Sequence, residues 1–196
     1  FISTNSLLLN NTIYKRTKSF LGYYYGYNFA TSGEEKISQN IQQIYIDKNN
    51  NLISKQISAE FKYIGSVKIE DNYLFTYAEL VGENGFVQQV LNKPIVATTE
   101  LKFLLGSFTA FSVDRSLCFG KRILIKIDNI IPLSECKTGY LAGDAREQLK
   151  FYFSTCFENV NNTITRVKLP PKIDLDIKVF KLENPKHIDI EWLIEA

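Results

Sequence analysis

The stretch Phe20-Leu-Gly-Tyr-Tyr-Tyr-Gly-Tyr-Asn-Phe29 decides the fold class of this 196-residue chain. Successive side chains of a β-strand point to opposite faces, so Gly22, Tyr24 and Gly26 would share one face of a strand here. A face with two glycines allows close approach of a bulky neighbour and the strong coiling that a small barrel needs. The opposite face would carry three aromatic side chains: Tyr23, Tyr25 and Tyr27.

The same pattern returns later in the chain, at Leu105-Gly-Ser-Phe-Thr-Ala-Phe111. Both stretches follow the order Leu-Gly-x-aromatic-x-small-aromatic. We therefore expect them to be matching strands of one closed sheet.

Apolar and polar residues alternate with a period of two through most of the chain between and around these two stretches. This alternation is typical of strands with one solvent-exposed face. We expect Gly65 to break the sheet locally. Eight strands with short turns in about 110 residues favour a mainly β fold, an antiparallel meander or eight-stranded barrel-like sheet. The predicted strands are residues 20–29, 41–47, 53–63, 67–69, 73–81, 86–91, 101–113 and 117–128.

The pattern becomes helical after Pro132. Asp144 is a candidate N-cap, and Glu147 would complete a capping box for a helix that runs to about Phe157. The tail from Pro170 alternates again, which indicates either a further hairpin or edge strands that pair with another chain. One helix face would pack on the sheet or close a barrel end, through Leu149, Tyr152, Phe153 and Cys156.

These patterns divide the chain into three parts. Residues 1–19 are expected to form a lead-in or linker segment, residues 20–131 a barrel-like domain, and residues 132–196 a helix and β tail packed on it. The sequence contains no Met, position 1 included, which favours a piece of a longer protein whose effector domain or partner chain lies elsewhere.

Composition excludes several classes of protein. With 45% hydrophobic residues and a net charge of +2, the chain is neither disordered nor suited to bulk DNA binding. No segment reaches the roughly 18 consecutive apolar residues of a membrane span. The three cysteines contain no C-x-x-C pair, which favours reduced thiols and a cytoplasmic location.

Motifs for catalysis and metal binding are missing from the sequence. The single histidine, His187, has no accompanying Ser or Cys motif, so a surface position is favoured over a general base. One imidazole and three scattered thiols lack the spacing of a zinc site. The expectation is a protein that is not an enzyme and uses no cofactor and no metal.

The pattern Gly22-Tyr23-Tyr24 with its echo at Gly106-Ser107-Phe108 resembles the first strand of lipocalin-like β-barrels, although Tyr24 stands where Trp is usual in them. It also resembles the compact barrels that sense cyclic nucleotides in bacterial antiphage systems. The resemblance covers residues 20–128. It implies a barrel, and it implies a ligand-binding role.

Aromatic and basic side chains near strand ends are the candidate ligand-binding residues. Nucleobases stack on aromatic faces, and Arg or Lys binds phosphate. Each candidate has a simpler interpretation as well: the tyrosines as core or interface residues, and the basic residues as a solvated hairpin face. The candidates are Tyr24, Tyr63 and Tyr77 for stacking, with Arg115, Lys121 and Arg122 for an anion.

Three functional hypotheses remain open. The first is a sensor or regulatory domain of a larger protein, active in antiviral defence, that binds a small anionic ligand such as a cyclic nucleotide. The alternatives are a protein-interaction module, in which the tyrosine face and the tail contact another chain or a second copy, and a lipocalin-like carrier of an apolar ligand.

Overall fold

The computed structural model describes residues 17–31, 35–59, 61–93, 103–111, 116–127, 130–160, 165–168 and 175–194. Of the candidate binding residues, Arg115 lies outside these ranges. Most of the predicted lead-in segment 1–19 lies outside them as well.

Eight antiparallel strands form a closed barrel in which each strand pairs with the next one along the chain. β1 pairs with β8 as well as with β2, which closes the sheet and confirms the predicted fold class. This architecture is consistent with the lipocalin-like barrels. The strands are β1 (Gly22–Phe29), β2 (Ile37–Ile46), β3 (Leu52–Ser58), β4 (Phe61–Glu70), β5 (Tyr73–Leu80), β6 (Phe86–Asn92), β7 (Phe103–Phe111) and β8 (Leu117–Lys126).

The two matching stretches lie on β1 and β7, the two strands that flank β8. Their glycines face the barrel interior, where neighbouring groups come close. A Cβ atom on Gly106 would stand 1.9 Å from the carbonyl oxygen of Val90 on β6. Only glycine allows this approach, so the coiling predicted for these strands has a direct steric cause.

Two details of the predicted strands are wrong. Residues 53–63 are not one strand, because the chain turns at Ala59, whose φ is +52°, and divides them between β3 and β4. Gly65 does not break the sheet and lies within β4, where its Cβ would stand 2.0 Å from the carbonyl oxygen of Tyr77. A positive φ at Ala59 and a close backbone approach at Gly65 set the geometry, and neither is visible in the alternation pattern.

One end of the barrel interior is filled with apolar side chains. This closed end is the end at which β1 begins, and a helical turn over residues 17–20 places Phe20 there. The hydroxyl of Tyr24 donates a hydrogen bond of 2.7 Å to the carbonyl oxygen of Phe20. The buried residues that fill this end are Phe20, Tyr24, Ile44, Leu74, Leu91, Leu104 and Leu124.

The chain after the barrel adds a second layer on the outside of the wall. β9 (Lys137–Leu141) pairs with the first part of β2, and β12 (Leu182–His187) pairs with the outer edge of β9. The layer also contains α1 (Gly143–Cys156), α2 (Ile190–Ile194) and a small hairpin of β10 (Phe157–Asn159) and β11 (Thr165–Val167). β12, which belongs to the predicted tail, therefore pairs with a strand of the same chain.

The largest hydrophobic core lies between the barrel wall and this outer layer. The predicted buried face of α1 is confirmed, and the rings of Phe29 and Phe153 lie 5.0 Å apart. Tyr25 and Tyr27 belong to the same core. The core also includes Ile37, Ile41, Phe103, Leu105, Ile123, Ile125, Leu149, Tyr152, Cys156 and Leu193.

The predicted capping box and part of the predicted tail are wrong. α1 begins at Gly143 after an Ala142 cap that makes no side-chain bond, so Asp144 is a residue of the first turn. Its carboxylate is still favourably placed there with respect to the helix dipole. In the tail, Ile177–Val179 is a 3₁₀ turn, in which Ile177 is buried in the outer core and Val179 is exposed.

Among the described residues, no helix is both long and apolar enough to cross a membrane.

Replacing Gly106 with alanine tests the steric origin of the barrel's coiling. We expect Gly106→Ala to lower the free energy of unfolding by about 1–3 kcal/mol or more, since the new methyl group meets backbone that cannot rotate away. Ser107→Ala, at the exposed neighbouring position, should change it by less than about 0.5 kcal/mol. Chemical denaturation of both variants measures this, and equal stabilities would contradict it.

Two buried tyrosines of β1 predict a loss of stability at high pH. Burial raises the pKa of Tyr25 and of Tyr27 above the ordinary value, so the folded state keeps phenolic protons that the unfolded chain loses. Stability should be full below about pH 10 and should fall as the pH rises above it. Tyr25→Phe should reduce this fall between pH 8 and pH 11 in urea denaturation, and an unchanged fall in this variant would contradict the prediction.

Candidate ligand-binding site

A cavity of about 640 Å³ occupies the open end of the barrel, opposite the closed end. This volume is in the range of small-molecule sites, which is about 300–1,000 Å³. The turns after β1, β3 and β5 and the ends of β7 and β8 surround its mouth. It is lined by Asn28, Ala30, Thr31, Ser38, Gln56, Ser58, Ala59, Phe61, Tyr63, Leu80, Glu83, Asn84, Gly85, Phe86, Val87, Phe108, Ala110, Phe111, Arg122 and Tyr140.

Arg122 lies at the floor of this cavity, and only 1% of the residue is exposed. Arg122 lies on β8 and pairs with Gly106 of β7, so its side chain points into the barrel with the other interior residues. Four side-chain amide oxygens from three strands accept hydrogen bonds from its guanidinium. Nη1 donates to Asn28 at 2.8 Å, and Nη2 lies 2.7 Å from Asn40, 3.3 Å from Gln42 and 3.2 Å from Gln56.

Gly26 makes the space that the guanidinium occupies. A Cβ at this position would stand 2.3 Å from Oδ1 of Asn40 and 2.5 Å from Nη2 of Arg122. The glycine pattern of β1 therefore leaves room for a buried charge and also permits the geometry of the strand.

The charge of Arg122 has no carboxylate partner among the described residues. All four of its acceptors are neutral amides, and burial lowers the pKa of Arg122 to about 9. The group therefore remains a cation at neutral pH. Burying an ion without a counter-ion costs several kcal/mol. An anion entering the cavity would supply the missing charge.

Three buried polar atoms in and beside this layer have no hydrogen-bond partner among the described residues. They are Nε of Arg122, Oε1 of Gln89 and Oγ1 of Thr76. Gln89 donates from Nε2 to Oε1 of Gln56 at 3.0 Å, which connects it to the arginine cluster. Buried polar groups normally have partners, so this layer retains free hydrogen-bonding capacity.

Of the five candidate residues that the structure describes, two line the cavity, Arg122 and Tyr63. Tyr63 lies on the inner face of β4, and burial together with nearby Glu83 raises its pKa above the ordinary value. The interpretation of the basic stretch as a solvated hairpin face is wrong for Arg122, because the alternation of β8 turns it into the barrel.

The other described candidates lie away from the cavity. Tyr24 is buried in the closed end, with the ammonium group of Lys126 5.9 Å from its ring. Tyr77 is on the outer wall, 46% exposed and stacked on Phe86 at 5.8 Å. Lys121 also faces outward and donates to Oδ1 of Asn159 at 3.3 Å.

The amide residues around Arg122 were not predicted from the sequence. A signal for them exists in β2, where Ser38, Asn40 and Gln42 alternate with the buried Ile37 and Ile41. Such a polar face is usually solvent-exposed, and only the closure of the sheet turns it inward. In the described part of the chain, no group of three His, Cys, Asp or Glu side chains could hold a metal ion.

Comparisons with protein-family models, with curated proteins and with solved structures find no match to this chain.

Asn40→Asp tests whether Arg122 lacks a counter-ion. The new carboxylate would lie about 2.7 Å from Nη2, but the variant would lose the hydrogen bond that Nδ2 of Asn40 donates to Oδ1 of Asn28 at 3.3 Å, so we expect a net gain of about 1 kcal/mol in the free energy of unfolding at pH 7. The arginine would hold the folded-state pKa of that carboxyl below about 3.9, so the gain should be present above pH 4 and lost as the pH falls below it.

Gln88→Glu, the same change at an exposed position on β6, is the control and should leave stability nearly unchanged. Denaturation curves at pH 7 and pH 3 separate the two variants. A destabilised Asn40→Asp protein at pH 7 would contradict the prediction, since the ion pair would then not outweigh the lost hydrogen bond to Asn28.

Proposed function

We propose that this chain is a ligand-binding barrel that takes a small anionic ligand at its open end. The observation that carries this proposal is Arg122: a buried cation with only neutral partners, at the floor of a cavity of about 640 Å³. The neutral amides already accept charge-assisted hydrogen bonds from the guanidinium, and an anion would add the attraction of an ion pair, so it would gain more from this group than the amides do.

The hydrogen bonds between Arg122 and its amide acceptors support binding rather than catalysis. Arg122 and the amides can hold and orient an anion, and none of them is a general base at neutral pH. A cyclic nucleotide signal, the ligand class expected for a sensor of the antiphage type, combines the anion and the aromatic group that such a site accepts. A regulatory role requires that the ligand bind one conformation or assembly of the larger protein better than another.

The features that suggested a protein-interaction module are used within the chain. Tyr25 and Tyr27 are buried under the outer layer, and β12 pairs with β9. An apolar carrier is also less favoured, because its ligand would meet a buried charge at the cavity floor. We therefore propose the anion site as the function of this chain.

A thermal-shift screen tests the proposal with nucleotides, cyclic dinucleotides, monocarboxylates and fatty acids. A ligand at one hundred times its Kd should raise the free energy of unfolding by about 2.7 kcal/mol. Arg122→Met should abolish the shift, because it removes the charge and keeps a long side chain in the site. Lys121→Met removes the same charge on the outer wall and should leave the shift unchanged.

Asn40→Asp is the second variant, in case the barrel does not fold without Arg122. Its internal carboxylate competes with the ligand, so anion affinity should fall at least tenfold while Gln88→Glu keeps wild-type affinity. Equal binding by wild type and Asn40→Asp would place the anion elsewhere and contradict the proposed site.

A further inference from the structure

The cavity has two chemically different walls. Going around the barrel, β8, β1, β2 and β3 contribute polar groups, among them Asn28, Ser38 and Gln56. The strands β4 to β7 contribute mostly apolar and aromatic groups, among them Tyr63 and Phe108. The barrel order places these two sets on opposite sides of one mouth.

The aromatic wall is held in place by its neighbours. The ring of Phe108 lies over Gly120 of β8, where a Cβ would stand 2.4 Å from the ring atom Cε1. Phe108 belongs to a small apolar cluster with Ala78, Val87 and Ala110, against which Tyr63 packs. A fixed apolar wall of this kind fits a flat hydrophobic group better than a flexible polar one.

The charge of the lining sets the charge of the occupant. Among the lining residues that the structure describes, Arg122 is the one cation and Glu83 the one anion. A monoanion would pair with Arg122 and leave the floor neutral. A phosphate dianion would leave one negative charge without a partner in a partly buried site, which is unfavourable.

The depth of the cavity sets the size of the occupant. Below Arg122 and its amides, the interior is filled by the apolar side chains of the closed end. A long alkyl chain would have to pass the polar layer and displace this packing. A compact body is therefore favoured over an extended one.

We propose that the open end takes a compact monoanion with a flat apolar body, of the chemical class of the aromatic carboxylates. Its carboxylate lies at Arg122, and its ring lies against Tyr63 and Phe108. This inference rests on the proposed anion site and specifies its ligand.

The hydrogen bonds available at the floor match a carboxylate. Its oxygens can replace the amide oxygens of Gln56 or Asn28 as acceptors from the guanidinium, because both residues line the cavity. The displaced Gln56 oxygen keeps the hydrogen bond that it accepts from Gln89. Binding therefore replaces a neutral acceptor by a charged one without leaving that amide oxygen unpaired.

Calorimetric titration of the whole chain with four matched probes tests this inference. The probes are 2-naphthoate, 2-naphthamide, 2-naphthyl phosphate and decanoate. The first three carry different head groups on the same naphthalene ring, and decanoate carries the carboxylate head group on an alkyl chain. We expect naphthoate to bind at least tenfold more tightly than each of the other three. Equal or tighter binding of the amide, the phosphate or decanoate would overturn the assigned charge, head group or shape, respectively.

Variants then locate the bound ring. Tyr63→Leu should weaken naphthoate binding about threefold to tenfold, whereas the matched change Tyr73→Leu, at an exposed residue of β5 that does not line the cavity, should not. Equal effects of the two substitutions would overturn the placement of the ring. Asn40→Asp should weaken naphthoate binding at least tenfold, and unchanged affinity in that variant would overturn the placement of the carboxylate.

A parallel titration with nucleotides separates this inference from the proposed function. If nucleotides bind with dependence on Arg122 and naphthoate does not, the anion site stands and the ligand class is wrong. If none of the anions binds, both proposals are wrong.

Discussion

The contact between the Arg122 guanidinium and its amide acceptors is the interaction around which the barrel interior is arranged. It joins β8 to β1, β2 and β3, and therefore spans the β8–β1 seam at which the sheet closes. Gly26 leaves the space for it, because any larger residue would collide with the guanidinium. The buried charge costs desolvation free energy, and the neutral amides offset only part of this cost.

The division of the interior into two ends follows from this polar layer. On one side, apolar side chains fill the barrel down to Phe20 and exclude water. On the other side, the turns between strands surround an open cavity whose floor is Arg122. The outer layer with α1 contributes to stability through its own core on the barrel wall, so the open end does not have to be filled for the barrel to fold.

The core that stabilises the fold is separate from the residues that line the cavity. The largest hydrophobic core lies outside the barrel, and the cavity contains unsatisfied hydrogen-bonding capacity and an unpaired charge. Binding sites of proteins commonly combine an apolar lining with a few convergent polar groups, and this cavity has that composition. A ligand that neutralises Arg122 would stabilise the folded barrel by RT ln(1 + [L]/Kd).

The sequence alone determined the mainly β fold, the glycine faces of β1 and β7 and the buried face of α1. These are local properties, since the alternation of side chains and the helical spacing of apolar residues depend on neighbours in the chain. Only the tertiary structure decided that Arg122 and Tyr63 share a cavity while Tyr24, Tyr77 and Lys121 do not. The reason is that closure of the sheet gives each strand an inside and an outside, and a polar face such as that of Asn40 and Gln42 carries no local mark of which side it will occupy.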